Sequence, residues 1–171
     1  MTIDQLLIKF IDQQAVKMTT KNGYEFNMTE LVKGNWDTKA NSNCAIVYEL
    51  GVTELNPIGE NQEVYNPTTI FALYYKMKNL GTKQGVITEQ QERAILDLRR
   101  FIEGDNSINP SNALAPALFE YANKNDYNIH SLSAINVIRS SDAGQGNFKC
   151  GVIGRMTYIE SNNNINHYQA P

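Results

Sequence analysis

The sequence predicts an α+β domain, an antiparallel or mixed β-sheet with amphipathic helices packed mainly on one face and a closing β-hairpin. Two segments carry apolar residues at helical spacing, and several others alternate with period two or form short β-rich apolar runs. These helical and extended segments come in blocks and not in strict alternation, which favours α+β over a doubly wound sheet. A chain of 171 residues is long enough to bury one proper core. No repeat or break in composition divides it, so residues 1–160 are assigned to one domain and 161–171 to an asparagine-rich tail.

The first element is a helix. Ile3, Leu6, Leu7, Phe10 and Ile11 share one face, and Thr2 and Gln5 have capping-box spacing. The stripe continues weakly to Val16 and fades by Met18; Lys21-Asn22-Gly23 signals a turn. Tyr24–Thr29 alternates, with Tyr24, Phe26 and Met28 on one side, and predicts a half-buried strand. Leu31–Asn43 is rich in loop formers and holds Trp36 as its large anchor. Ala45–Leu50 predicts a strand, followed by a long acidic connection, Gly51–Pro67, that contains Glu54, Glu60 and Glu63.

Thr68–Met77 is apolar on both faces, as expected of a central strand covered on two sides. After a turn-rich link, Asn79–Gly85, comes a second amphipathic helix. Thr88 and Gln91 have capping-box spacing, Ala94, Ile95, Leu98, Phe101 and Ile102 form the stripe, and Gly104 is placed to end it. A loop, Asp105–Asn112, and a shorter helix, Leu114–Asn123 with Pro116 in its first turn, follow. The last third predicts the closing hairpin, Leu132–Ser140 and Phe148–Ile159, joined by the polar, glycine-containing Ser140–Asn147. Gly151 and Gly154 within its second strand suggest a bend, a bulge or a close backbone approach. The tail, Ser161–Pro171, has no apolar period and is either disordered or ordered on a partner.

Charged residues make up only 19% of the chain, with asparagine, glutamine, serine and threonine in their place; such weakly self-repelling surfaces suit packing against neighbours, and a compositional bias of the source genome explains them equally well. The net charge of −3 comes with no basic stripe, which argues against sequence-independent phosphate binding as the main task; the densest basic cluster is Arg93, Arg99 and Arg100 on one predicted helix. Cys44 and Cys150 lie in apolar strand-like runs and are expected as buried free thiols in a reducing compartment. The N-terminus lacks a secretory pattern, no apolar run reaches the ~18 residues of a membrane helix, and a soluble protein is expected. Asn27-Met28-Thr29 is a glycosylation sequon by form and is read as chance.

Catalytic signals are sparse. His130 ends a polar loop and His167 lies in the tail, neither beside another residue at metal-ligand spacing. There is no nucleophile elbow, phosphate-cradling loop or dinucleotide fingerprint. Glu54, Glu60 and Glu63 share a loop and Asp97 and Glu103 a helix, and a solvated acidic loop is the better reading than a carboxylate pair. Tyr24, Phe26, Phe71 and Tyr75 occupy inward-looking positions and are expected in the core. No enzyme activity, cofactor or metal is expected.

The order of elements then becomes informative: an N-terminal amphipathic helix, strands with a long acidic loop, an aromatic strand (TTIFALYYKM), a capped helix (TEQQERAILDLRRFI) and a closing hairpin (SAINVIRSSDAGQGNFKCGVIGRMTYI). Over about residues 1–160 this resembles the tail-terminator, or tail-completion, proteins of tailed bacteriophages and related contractile injection systems. The resemblance implies a structural virion protein assembled in the host bacterial cytoplasm. It would be a homo-oligomeric ring, usually hexameric, between the tail tube protein and the neck or connector protein, with DNA passing through the lumen. It also implies contacts at Glu54, Glu60 and Glu63, at Asp142 and Gln145 on the hairpin tip, and at Arg93, Arg99 and Arg100, which would meet an acidic neighbour or line the channel. The segment 105–130 and the tail are less typical of that family. Another neck, head-completion or baseplate subunit, a cytosolic protein-binding module, and an enzyme using carboxylates are the competing readings.

Overall fold

A computed structural model describes residues 1–54, 57–58, 64–65, 67–80, 84–142 and 146–161, with side chains for 1–51, 67–80, 85–140 and 146–159. The protein has a mixed α+β fold. Three helices, α1 (Ile3–Ala15), α2 (Gln84–Glu103) and α3 (Leu114–Lys124), accompany strands β1 (Glu30–Lys33), β2 (Cys44–Glu54), β3 (Pro57–Ile58), β4 (Val64–Tyr65), β5 (Thr68–Met77), β6 (Asn128–Asp142) and β7 (Asn147–Ser161).

The start of α1 is encoded locally. The Gln5 amide donates to Thr2 Oγ1 at 3.2 Å and the Thr2 amide donates to Gln5 Oε1 at 3.0 Å, the reciprocal pair of a capping box. Ile3, Leu6, Leu7, Phe10 and Ile11 are all buried. The stripe does not simply fade, however. The helix stops at Ala15, so Val16 turns outward and Met18, off the helical phase, is fully buried.

The main sheet runs β1-β2-β5-β7-β6, with β1 parallel to β2 and the other pairs antiparallel. β3 and β4 pair in the register that Thr53 and Glu54 of β2 hold against β5, and β4 keeps the register of β5 against β7. Much of the connection Gly51–Pro67, expected as loop, is therefore strand; its segments 55–56, 59–63 and 66 fall outside the described residues. Within the segment between the last two strands, 143–145 also fall outside, as does 162–171 of the tail.

One sheet face carries the main core. Ile46, Tyr48, Phe71, Leu73, Tyr75, Phe148, Cys150, Val152 and Met156 pack with the buried sides of the three helices, including Leu98, Phe101 and Leu118. On the other face Val47, Ala72 and Tyr74 are buried, with Val32, Trp36, Ile138 and Ile153 packed against them. The β1-to-β2 connection, needed to bring two parallel neighbours into line, runs over this second face. Its Trp36 meets Tyr74 edge-on with ring centroids 5.3 Å apart. That is why β5 is apolar on both sides, as its sequence implied.

Close approach, and not a bend, explains the glycines of β7. A Cβ at Gly154 would lie 2.2 Å from Phe71 Cζ, and one at Gly151 would lie 2.5 Å from Tyr74 Cδ1. Each aromatic ring rests across the strand on the space a side chain would fill.

Three local expectations are corrected. Residues 24–29 are not a strand; the strand is Glu30–Lys33, which begins one residue before the segment expected as loop and runs into it. The Glu25 and Phe26 amides turn away from any ladder to Asp97. α2 begins at Gln84, four residues before Thr88, so Thr88 and Gln91 lie within the helix and form no capping box. Gln91 is buried and its Nε2 donates to the Ser140 and Lys149 carbonyls, both at 3.1 Å, tying α2 to β6 and β7. His130 lies within β6 and not at the end of a loop.

Candidate functional site

The most distinctive surface is the outer edge of β6. This strand is fifteen residues long, pairs with β7 on one side, and meets no other strand among the described residues. An open edge presents backbone donors and acceptors to whatever approaches. The register against β7 slips twice, between Ile129 and Ser131 and between Ala134 and Asn136, so bulges fall at His130 and Ile135. Beyond them Asn136–Asp142 pairs regularly with Ile153–Asn147. Ile135 is 41% exposed, an apolar side chain turned outward at the bulge. The opposite edge is the four-residue β1.

The residues singled out from sequence are scattered over this frame. Glu54 is the last residue of β2 and Asp142 the last of β6; their side chains, and Glu60, Glu63 and Gln145 entirely, lie outside the described residues. On α2, Arg93 pairs with Glu89 at 2.8 Å in solvent, and Arg99 is exposed. Arg100 faces inward instead. It binds Asp97 at 2.7 Å, its side chain is only 12% exposed, and its guanidinium lies 5.6 Å from the Tyr24 ring centroid. The structure thus leaves Arg93 and Arg99 on the helix surface and takes Arg100 into the fold.

Asp97 shows what sequence reading missed. It sits within the apolar stripe of α2 with no exposed surface. Its Oδ1 and Oδ2 accept from the Glu25 amide at 2.9 and 3.0 Å, and Oδ2 accepts from the Phe26 amide at 3.1 Å. Burial pushes its carboxyl above the ordinary aspartate value; the two amides and Arg100 oppose that rise. The signal was present, an aspartate one residue before Leu98 on the core-facing side, but its partners are seventy residues upstream. Asp97 and Glu103 do not form a carboxylate pair, since Asp97 is buried and Glu103 exposed.

Burial disfavours the thiolate at both cysteines. Cys150 is buried and Cys44, expected buried, is half-buried; both are free. Burial pushes the Cys44 thiol up to about 11 and that of Cys150 higher still. Tyr24, Phe71 and Tyr75 are buried as expected, with Phe26 packed against the core. Asn27 of the sequon accepts from the Thr20 amide at 2.8 Å. Among the described residues no three histidine, cysteine or acidic side chains gather as metal ligands, and no helix is long and apolar enough to cross a membrane.

These features define a mixed α+β domain whose open sheet offers a long edge strand. The sequence matches no protein-family model and no curated protein.

Proposed function

We propose that this chain is a structural subunit that assembles with copies of itself, and that the assembly is a tail-terminator ring, a hexamer capping a phage tail tube at its junction with the neck. The supporting observation is the fifteen-residue edge strand β6, open on its outer side and carrying the exposed Ile135. A heterologous contact between such an edge and a different surface of the next copy closes into a ring when the rotation permits. In this reading β6 and β7 are the closing hairpin of the domain, and its tip, with Asp142 and Gln145, reaches the neighbouring protein. The acidic residues Glu54, Glu60 and Glu63 contribute to the contact with the tube, and Arg93 and Arg99 face the lumen or an acidic neighbour.

Native mass spectrometry of the purified chain, with quantitative mass spectrometry of purified particles, tests this reading. A closed ring of single stoichiometry, present in particles at low copy number, is expected. A chain that stays monomeric and is missing from particles refutes it and favours a protein-binding module.

A further inference from the structure

A cavity of about 460 Å³ opens where β5 ends and β7 begins, roofed by the β1-to-β2 connection. Four lysines line it, Lys39, Lys76, Lys78 and Lys149, against one carboxylate, Asp37. In a chain with net charge −3 this is a local reversal of sign. None of the four lysines forms an ion pair among the described residues; the ion pairs there involve Arg93, Arg100, Lys124 and Arg139.

Three of the lysines, Lys76, Lys78 and Lys149, are held in place without being neutralised. Lys76 is buried and its ammonium donates to the Thr38 carbonyl. Lys78 donates to the Ala40 carbonyl at 2.5 Å, and the Lys149 ammonium lies 4.8 Å from the Trp36 ring centroid. Each ammonium has three donors, so these contacts orient the side chains and leave donors over. Burial lowers the Lys76 pKa, and the charges of Lys149 and Lys78 lower it further, while Asp37 raises it. A bound anion would relieve that repulsion.

We propose that this cavity binds a small organic phosphate, its phosphate among Lys39, Lys76, Lys78 and Lys149 and its organic body along the β1-to-β2 connection at Ala40 and Asn41. The volume falls in the range of small-molecule sites and exceeds what a bare anion fills. The charges are point-like ammonium groups, which suit a tetrahedral phosphate. The planar guanidinium fork that pairs best with a carboxylate is absent from the lining. The cavity is built within one chain, so the proposal stands apart from ring assembly.

Isothermal titration calorimetry of the full chain at matched ionic strength tests it, with AMP, inorganic phosphate, adenosine and a tetraglutamate peptide as probes. AMP is expected to bind saturably, one per chain, with inorganic phosphate weaker and adenosine silent. Lys39→Gln with Lys149→Gln should weaken AMP by roughly tenfold or more, the loss of two charge-assisted contacts. Lys39→Gln alone, at an exposed position, should weaken it by a smaller factor and serves if the double variant misfolds. Three outcomes overturn the proposal: no saturation by AMP, unchanged affinity in a folded lysine variant, or tighter binding of the peptide than of AMP, which would assign the cavity to an acidic polypeptide.

Discussion

Replacing Asp97 by alanine removes the acceptor for two backbone amides and the counter-charge of Arg100 together. In the native protein the carboxylate accepts from Glu25, from Phe26 and from Arg100 at 2.7 to 3.1 Å, and its side chain has no exposed surface. Breaking a buried pair by deleting one partner costs about 3–5 kcal/mol. Each orphaned amide adds ~1–3 kcal/mol if it stays dry. Residues 25 and 26 are not fully buried and can reach water after a small shift, so the loss should stay near the cost of the broken pair, about 4 kcal/mol. For a domain of this size that lowers Tm by roughly 8–16 °C. Asp97→Asn keeps the shape and one acceptor and should lose about half as much, ~2 kcal/mol. Urea unfolding followed by far-UV circular dichroism measures both, and hydrogen exchange at the Glu25 and Phe26 amides reports the local release. A loss below about 1 kcal/mol in the alanine variant would refute the claim that Asp97 anchors residues 24–29.

Two further substitutions probe the sheet. Gly154→Ala places a Cβ 2.2 Å from Phe71 Cζ, so the ring must leave its seat; a loss of about 1–3 kcal/mol is expected by thermal denaturation, and a neutral result would mean that the ring moves freely. The Tyr75 hydroxyl is buried and finds no hydrogen-bond partner among the described residues. Tyr75→Phe should therefore be neutral or stabilising by up to about 1 kcal/mol in the same measurement, whereas a marked loss would reveal a partner for that hydroxyl.

Where local chemistry decides, the sequence was legible. Thr2 and Gln5 set the start of α1, Gly104, at φ 83°, ends α2, and the two-sided apolar pattern of β5 marks its central place. Errors came where a local pattern met a distant partner. The alternation of Tyr24, Phe26 and Met28 looks like a strand, but Asp97 claims the amides a ladder would need. Thr88 and Gln91 have the spacing of a cap, yet Gln91 serves carbonyls on two strands beyond it in the chain. β1 escaped notice because four residues in a loop-rich segment become a strand only through pairing with β2. The same holds for the candidate sites. The edge character of β6 depends on where the other strands lie, and the four cavity lysines are spread from residue 39 to residue 149, so no local spacing announces them.

The place of β7 bears on how the chain is made. It pairs with β5 on one side and β6 on the other and also takes up β4, yet it follows all of them in sequence. During synthesis the flank of β5 emerges long before the strand that will cover it. At about 5–20 residues per second, the interval from the end of β5 to the start of β7 lasts roughly 4–14 s. Through that time Phe71, Leu73 and Tyr75 belong to a sheet that ends at β5, and α2 emerges before its floor is complete. The nascent chain therefore carries a temporary sticky border, and the arrival of β7 closes that border and completes the sheet in one step.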